Sequence, residues 1–453
     1  MKRKAVALTL AAGMAVSLLA GCGSQAKESS DAKSTKKEET SEAKSEAKAE
    51  GADITLWTYP VGNWGKAEVV DGLLASFNEK YPDINVTVEY LDYTNGDDQI
   101  NTAIEGGQAP DLVLEGPERL VTNWGAKGYM VDLSDIFTEE NTKDMSDAVK
   151  NACKSADGKV YEYPLCTVAH CMAINKDMFE KADALKYLDE ETHKWKSTED
   201  FLKAVQAVYD SGQENVLAVY CAGQGGDQGT RALINNMYGG KFTNDAHTEY
   251  AANSDENAKA LQALVDQKGV NFDASLVGGD EINLFRQEQL AVSLCWNASQ
   301  QNNAENAEAG KTNNGSTILP MEFPSNGDVA LCGGIWGFGI FDNGDDAKVE
   351  AAKQFIDFMA NENAKESVKT SGFFPAHNDI TGIYEGTDTA ATMDMFQKYF
   401  MPDMGDYYQV VPGWATARTE WWNMLQRIGT GSDVKTELKT FADNANAATK
   451  EAK

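Results

Sequence analysis

Residues 53–90 read DITLWTYPVGNWGKAEVVDGLLASFNEKYPDINVTVEY. The opening run, 53–59, is rich in β-branched and aromatic side chains, which suit a pleated, half-buried strand. Val69, Val70, Leu73, Leu74 and Phe77 then recur at helical spacing, so 66–81 is expected to be an amphipathic helix. After the Tyr81-Pro82-Asp83 break, Ile84, Val86, Val88 and Tyr90 alternate as a strand does. A strand, a helix and a strand in this order make a β-α-β unit, which closes with parallel strands and a helix packed on the sheet.

The same alternation continues outward. A short helix is expected at 99–105, a strand at 111–114 (DLVL), a helix at 117–125 and an extended stretch at 163–175 (YPLCTVAHCMAIN), with Asp157-Gly158 as a tight turn. A second series starts near Lys176. Ser197 and Asp200 form a cap for a helix to Tyr209, a strand follows at 215–221, and a glycine-rich loop from Gly223 leads into a helix ended by Gly239-Gly240. Further helices are expected at 254–267, 347–360, 414–428 and 434–449, and strands at 290–296, 317–323 and 334–341, with a loop at 302–315. The expected architecture is α/β, a mostly parallel sheet with helices on both faces.

The first fifty residues differ from this body. Met1 to Lys4 is basic, 5–20 is apolar, and the run ends in Leu19-Ala20-Gly21-Cys22. An apolar stretch this short, followed at once by small residues, reads as a secretory signal and not a membrane span. The tetrad resembles a bacterial lipobox, which makes Cys22 the expected lipidation site; the alternative is an ordinary signal peptide with a chance cysteine. Residues 23–51 repeat Ser, Glu, Ala and Lys with no large apolar side chain, a flexible tether of roughly 30 Å typical span. The chain of 453 residues carries 40 basic and 70 acidic residues, net charge -30. Residues 52–453 hold 31 of the basic and 63 of the acidic ones, so the acid excess belongs to the body. A surface this acidic repels polyanions and excludes a nucleic-acid partner. Six cysteines follow Cys22 with no C-x-x-C and no zinc spacing; buried free thiols are expected, a disulfide such as Cys166 with Cys171 being the alternative.

Several stretches, taken in order, resemble the extracytoplasmic solute-binding proteins of bacterial ABC importers, in the carbohydrate-binding group related to maltose-binding protein. They are FNEKYPDINVTVEY (77–90), GGQAPDLVLEGPE (106–118), GYMVDLSDI (128–136), GKVYEYPL (158–165) with INKDMFEKA (174–182), FRQEQLAVSLCW (285–296), and GGIWGFGIF (333–341) before a helix ending IDFMANE (356–362). The resemblance spans nearly the whole body. It implies a two-lobed periplasmic-binding-protein-like fold (type II) whose hinged lobes close on ligand in the cleft between them. Lobe one is expected to comprise 52–166 and 326–375, lobe two 167–325 and 376–453. The implied partners are a sugar or oligosaccharide, the permease subunits of an ABC importer, and the membrane through the Cys22 lipid; a monomer on the outer face of the cell membrane, with no cofactor and no metal, is expected.

Candidate ligand contacts follow from where open α/β sheets place ligands, beyond the C-terminal ends of their strands. Sugars offer an apolar C–H face and a rim of hydroxyls, which call for aromatic plates and polar hydrogen-bonding groups. Tyr59, Asn63 and Trp64 follow the first strand, and Glu115 ends the 111–114 strand with Arg119 one turn on. His170 lies where the resemblance places a lobe crossing. Gln224 and Asp227 lie in the glycine-rich loop, which lacks the G-x-x-x-x-G-K-[ST] pattern of a phosphate loop. The resemblance implies a stacking aromatic at Trp296, at the end of a strand, and places Trp336 near a lobe crossing, where Gly333 and Gly334 let backbone approach ligand closely; Trp414 and Arg418 are expected as contacts from one helix face. The bland alternatives are core packing for the tryptophans and solvated or capping roles for the acids. Two other functions fit the sequence less well: a receptor for another solute such as a polyamine, and a secreted glycoside hydrolase. No H-E-x-x-H or G-x-S-x-G occurs to support catalysis.

Overall fold

The structure is a computed structural model that describes residues 51–303 and 308–452. The signal segment, Cys22 and nearly all of the tether lie outside the described residues, as does part of the 302–315 loop. The β-α-β start is present: β1 (Asp53–Thr58) and β2 (Asn85–Tyr90) pair in parallel around α1 (Ala67–Lys80), which buries Val70, Leu73 and Phe77. Next come α2 (Gly96–Glu105), β3 (Leu112–Glu115) and the short α3 (Pro117–Arg119), which runs on as a π turn at Leu120–Gly125. β3 is buried throughout and lies on the other side of β1, again parallel.

The strand β4 (Tyr163–Asn175) is buried along its whole length. Its first half pairs antiparallel with β9 (Cys332–Ile340) and β10 (Phe374–Pro375). Its second half pairs antiparallel with β7 (Val292–Trp296) and β8 (Ile318–Met321). Beside these, β5 (Leu217–Tyr220) and β6 (Val270–Asp273) form a separate parallel pair. The main sheet therefore has eight strands, in the order β8-β4-β9-β3-β1-β2 with β7 and β10 also on β4.

The fold is the expected two-lobed α/β class, but the sheet is mixed and not mostly parallel. Among the strands of the described residues, parallel pairing is confined to β2-β1-β3 and β5-β6, apart from an isolated bridge between Leu331 and Met404. The reason is topological: β9 returns from the second half of the chain and enters the first sheet against the direction of its β-α-β strands, and β4 follows it antiparallel. Local signals held where chemistry was explicit. Ser197 accepts a hydrogen bond from the Asp200 backbone at 3.0 Å, and Gly239 ends α4 (Gln228–Tyr238) at φ +76°. α5 (Ala298–Asn302) follows β7, and α6 (Trp414–Gly429) and α7 (Val434–Glu451) complete the chain. All six body cysteines are free and buried, as the sequence suggested. No helix among the described residues is long and apolar enough to cross a membrane.

Candidate ligand cleft

A cavity of about 340 Å³ opens where the ends of β1 and β3 face the glycine-rich loop before α4 and the start of α5. Each wall has a local cause. β3 ends in Glu115, and Pro117 at the first helical position starts α3 immediately, so Glu118 and Arg119 stand beside it. Arg119 Nη1 meets Glu115 Oε1 at 2.8 Å and Glu118 Oε1 at 3.3 Å, while Nε meets Asp97 Oδ1 at 2.7 Å. The guanidinium also lies over the rings of Tyr59 and Tyr93, which stack with centroids 5.3 Å apart.

Opposite, Asp227 anchors a second ionic knot. It binds Arg231 Nη1 at 2.5 Å and takes Arg418 bidentately, Nε at 2.8 Å and Nη2 at 2.7 Å, with Trp422 Nε1 at 3.1 Å as a further donor. Arg418 in turn donates to Gln224, through Nη1 to the side chain at 3.2 Å and Nη2 to the carbonyl at 2.8 Å. Gln224 links the two knots: its Oε1 accepts from Arg119 Nη2 at 3.2 Å and its Nε2 donates to the Tyr93 carbonyl at 3.0 Å. Tyr407 donates to Glu118 of the first knot.

The third wall is aromatic. β9 shifts register between Trp336 and Gly337, a bulge that re-aims its neighbours. Trp336 stacks on Phe373 with centroids 5.0 Å apart and 16° between planes, and both rings line the cavity. The indole covers Gly334, where a Cβ would lie 2.0 Å from Trp336 Cη2, so glycine is what lets the ring lie flat. His170 faces Asn297, with 3.3 Å between Nε2 and Nδ2. Asn297 also caps α5 by accepting from the Ser299 and Gln300 backbones at 2.9 and 3.2 Å.

Electrostatics follow the burial. Burial pushes the Glu115 carboxyl up to about 8 in spite of Arg119, and pushes the His170 imidazole down to about 4. Burial works against the charge on Asp227 as well, but Arg231 and Arg418 outweigh it and hold this carboxyl well below the usual range. Glu162, fully buried behind the cleft, is raised well above the ordinary carboxylate value by burial and then by Glu118 and Glu115. The carboxyl groups of Asp97, Glu115, Glu118 and Asp227 lie against the guanidiniums of Arg119, Arg231 and Arg418. The charge in the walls is thereby matched within the protein.

Of the expected contacts, the cavity gathers Glu115, His170, Gln224, Trp336 and Arg418. Others stand one layer back. Tyr59 is buried beneath Arg119 and bonds Asp97, and Asp227 holds Arg418 without lining the cavity. Three tryptophans belong to the core instead. Trp64 packs edge-on against Phe338 and donates to the Ser367 carbonyl at 3.4 Å; Trp296 donates to Gln301 Oε1 at 2.8 Å and meets Phe285; Trp414 packs on Phe242 and under Arg231. Asn63 donates to the Thr370 carbonyl at 3.1 Å and borders a neighbouring chamber. Sequence reasoning missed Tyr93, Glu118, Phe373, Tyr407 and Gln409. Tyr93 lies just past the C-terminal end of β2, where the rule used for Tyr59 applies equally; nothing local marked Phe373.

One other grouping has metal-ligand chemistry among the described residues: Asp144, His377 and Asp379, whose ligand atoms lie within 4.8 Å of one another. His377 Nδ1 sits 3.0 Å from both Asp144 carboxylate oxygens, which a hydrogen bond explains, and none of the three lines the cleft cavity.

Two α/β lobes joined by a through-running strand, with a polar and aromatic cavity at the strand ends, have the architecture of a ligand-binding protein. The chain belongs to the bacterial extracellular solute-binding protein family, whose model matches residues 61–366. It is 22% identical over 355 residues to the melibiose/raffinose/stachyose-binding protein MelE of Bacillus subtilis, covering 73% of this chain and 77% of that one. Its fold is similar to an ABC transporter solute-binding protein of Thermotoga lettingae bound with α-D-tagatose, at TM-score 0.69, 20% identity, 88% of this chain and 99% of that chain. It is similar also to the substrate-binding protein Lmo0181 of Listeria monocytogenes in complex with cycloalternan, at TM-score 0.66, 22% identity, 88% and 98%.

Proposed function

We propose that the protein is a lipid-anchored receptor that captures a neutral sugar or oligosaccharide in this cleft and delivers it to an ABC permease without making or breaking a bond. In this reading the lobes are 52–166 with 326–375 and 167–325 with 376–453, the protein acts as a monomer, and Cys22 carries the lipid outside the cell membrane. The observation that supports it is the pairing of the Trp336–Phe373 plate with polar groups whose charges are already matched. A uronate or a polyamine would have to break one of these ion pairs, whereas hydroxyls can share them. A hydrolase would need carboxylates on two sides of a scissile bond. Here Glu115 and Glu118 both bind Arg119 and so stand on one side.

The test is a thermal-shift screen of neutral sugars, uronates and polyamines, since a ligand that binds only the native state raises Tm. A neutral saccharide should stabilise the protein. Stabilisation by spermidine or by uronates alone would refute the reading, and shorter products in a prolonged incubation would show a hydrolase.

A further inference from the structure

A second cavity, of about 280 Å³, backs onto the cleft and has no lining residue in common with it. A thin partition of backbone separates the two. Gly333, Gly334, Tyr407 and Gln409 line the cleft, while their chain neighbours Cys332 and Tyr408 line this cavity. The partition is held as a unit, since the Leu331 carbonyl accepts from the Gly405 backbone at 2.9 Å and the Leu331 N–H donates to the Asp403 carbonyl at 2.8 Å. The Asn236 side chain ties it to α4, donating to the Ala330 carbonyl at 2.9 Å and accepting from the Ala330 N–H at 2.8 Å. Across the cavity, Gly240 has room for no side chain, because a Cβ there would lie 2.0 Å from Asn257 Oδ1, and the chain turns past it to bring in Phe242. The rings of Phe242 and Tyr408 then meet with centroids 5.3 Å apart, and with Ala232, Leu331 and Cys332 they give the cavity an apolar floor.

Three features of the walls favour a positive charge above that floor. The C-terminal end of α4 opens on the cavity, with Gly239 and Gly240 in its lining, and presents the negative end of the helix dipole. Asn235 Oδ1 is a buried acceptor in the wall with no hydrogen-bond partner. The rim carries Asp245, Asp328 and Asp406. Lys241 pairs with Asp245, and His247 Nε2 stands 3.9 Å from Asp406, but among the described residues Asp328 has no basic partner. The volume lies just under the roughly 300–1,000 Å³ of small-molecule sites, room for about one ring and a short chain. We propose that this cavity is a second binding site, for a small organic cation whose ammonium group meets the rim and Asn235 while its apolar body lies on the floor. The proposal uses no residue of the cleft and does not depend on the sugar reading.

The experiment is calorimetric titration of the intact protein with three molecules of similar shape and different charge: 2-phenylethylamine, 2-phenylethanol and phenylacetate. The amine is expected to bind one to a chain, with affinity that falls as salt is added, the alcohol about tenfold more weakly, and the acid not at all. Asp328→Asn with Asp406→Asn, both exposed, should weaken amine binding about fivefold at unchanged Tm. Asn235→Leu should also weaken it without lowering Tm, because the lost oxygen bonds nothing in the unliganded protein. Trp336→Ala, in the cleft, should leave amine affinity as it is. No amine binding, equal binding of amine and alcohol, or loss in Trp336→Ala with full binding in the other variants would overturn the site. Each of these results leaves saccharide binding in the cleft to be decided by its own titrations.

Discussion

The plate made by Trp336 can be perturbed in two independent ways. Trp336→Ala removes the indole outright. Gly334→Ala leaves it in the sequence but places a methyl 2.0 Å from Cη2 and 2.4 Å from Cζ3, where carbon atoms prefer roughly 3.5–4.0 Å. The ring must then shift by about 1.5 Å and tilt away from Phe373, with which it now makes a 16° stack. If a sugar lays ~50 Å² of C–H face on the indole, the lost burial is about 1.3 kcal/mol at ~25 cal/mol per Å². That is about tenfold in Kd. Both variants should therefore weaken binding of the best saccharide about tenfold by calorimetry, with Tm of the unliganded protein changed little because Trp336 is only half-buried. Unchanged affinity in both would remove Trp336 from the contact. Loss in Trp336→Ala but none in Gly334→Ala would show that the ring does not lie over Gly334.

Three other outcomes follow from the same structure. Asp227→Asn weakens a buried anion shared by Arg231 and Arg418, so unfolding in denaturant should show a loss of about 3–5 kcal/mol; less than 1 kcal/mol would mean that the knot contributes little. Burial pushes Glu281 up to about 8 against about 4.3 in the unfolded chain, so its contribution to stability is whole below about pH 4.3 and is lost as pH rises through 8; Glu281→Gln should shrink the fall in Tm between pH 5 and 8.5, and an unaltered pH profile would refute this. All six body thiols are buried, with burial raising Cys166 to about 12 and Cys221 to about 11, so a thiol reagent should label none of them before unfolding.

The fold was legible where periodicity and caps agree. The bounds of β1, α1 and β4 fall within about two residues of the reading because hydrophobic spacing and explicit breakers coincide there. Strand direction was not legible, since β9 and β4 read as buried strands whichever way they run, and their antiparallel docking is set by a connection hundreds of residues from β3. Long-range closure of this kind leaves no local mark. Phe373 is positioned the same way, by the docking of β10 on β4, and so escaped notice until it met Trp336.

The site shows a sharper division, and strand parity explains much of it. Successive side chains of a strand point to opposite faces. On β7 and just beyond it, Cys295 and Asn297 line the cavity, so Trp296 between them must point the other way, into the core against Phe285. The choice of Trp296 rested on the family resemblance, which implies a stacking aromatic at that strand end, while the alternation of its neighbours already contained the answer once any one of them was assigned. On α6 a different rule applies. Trp414, Arg418 and Trp421 share a face, and that face packs inward, with Trp421 fully buried against Phe242 and Phe441. Only Arg418 reaches the cavity, because its long stem carries the charged head past the packed rings to Asp227 and Gln224. A rigid indole on the same face has no such reach. Of the polar residues expected from their places at strand and helix ends, Glu115, Gln224 and Arg418 line the cavity, while Asn63 and Asp227 do not. Tryptophans, which the core accepts as readily as a cleft does, could be assigned only by the geometry of their neighbours.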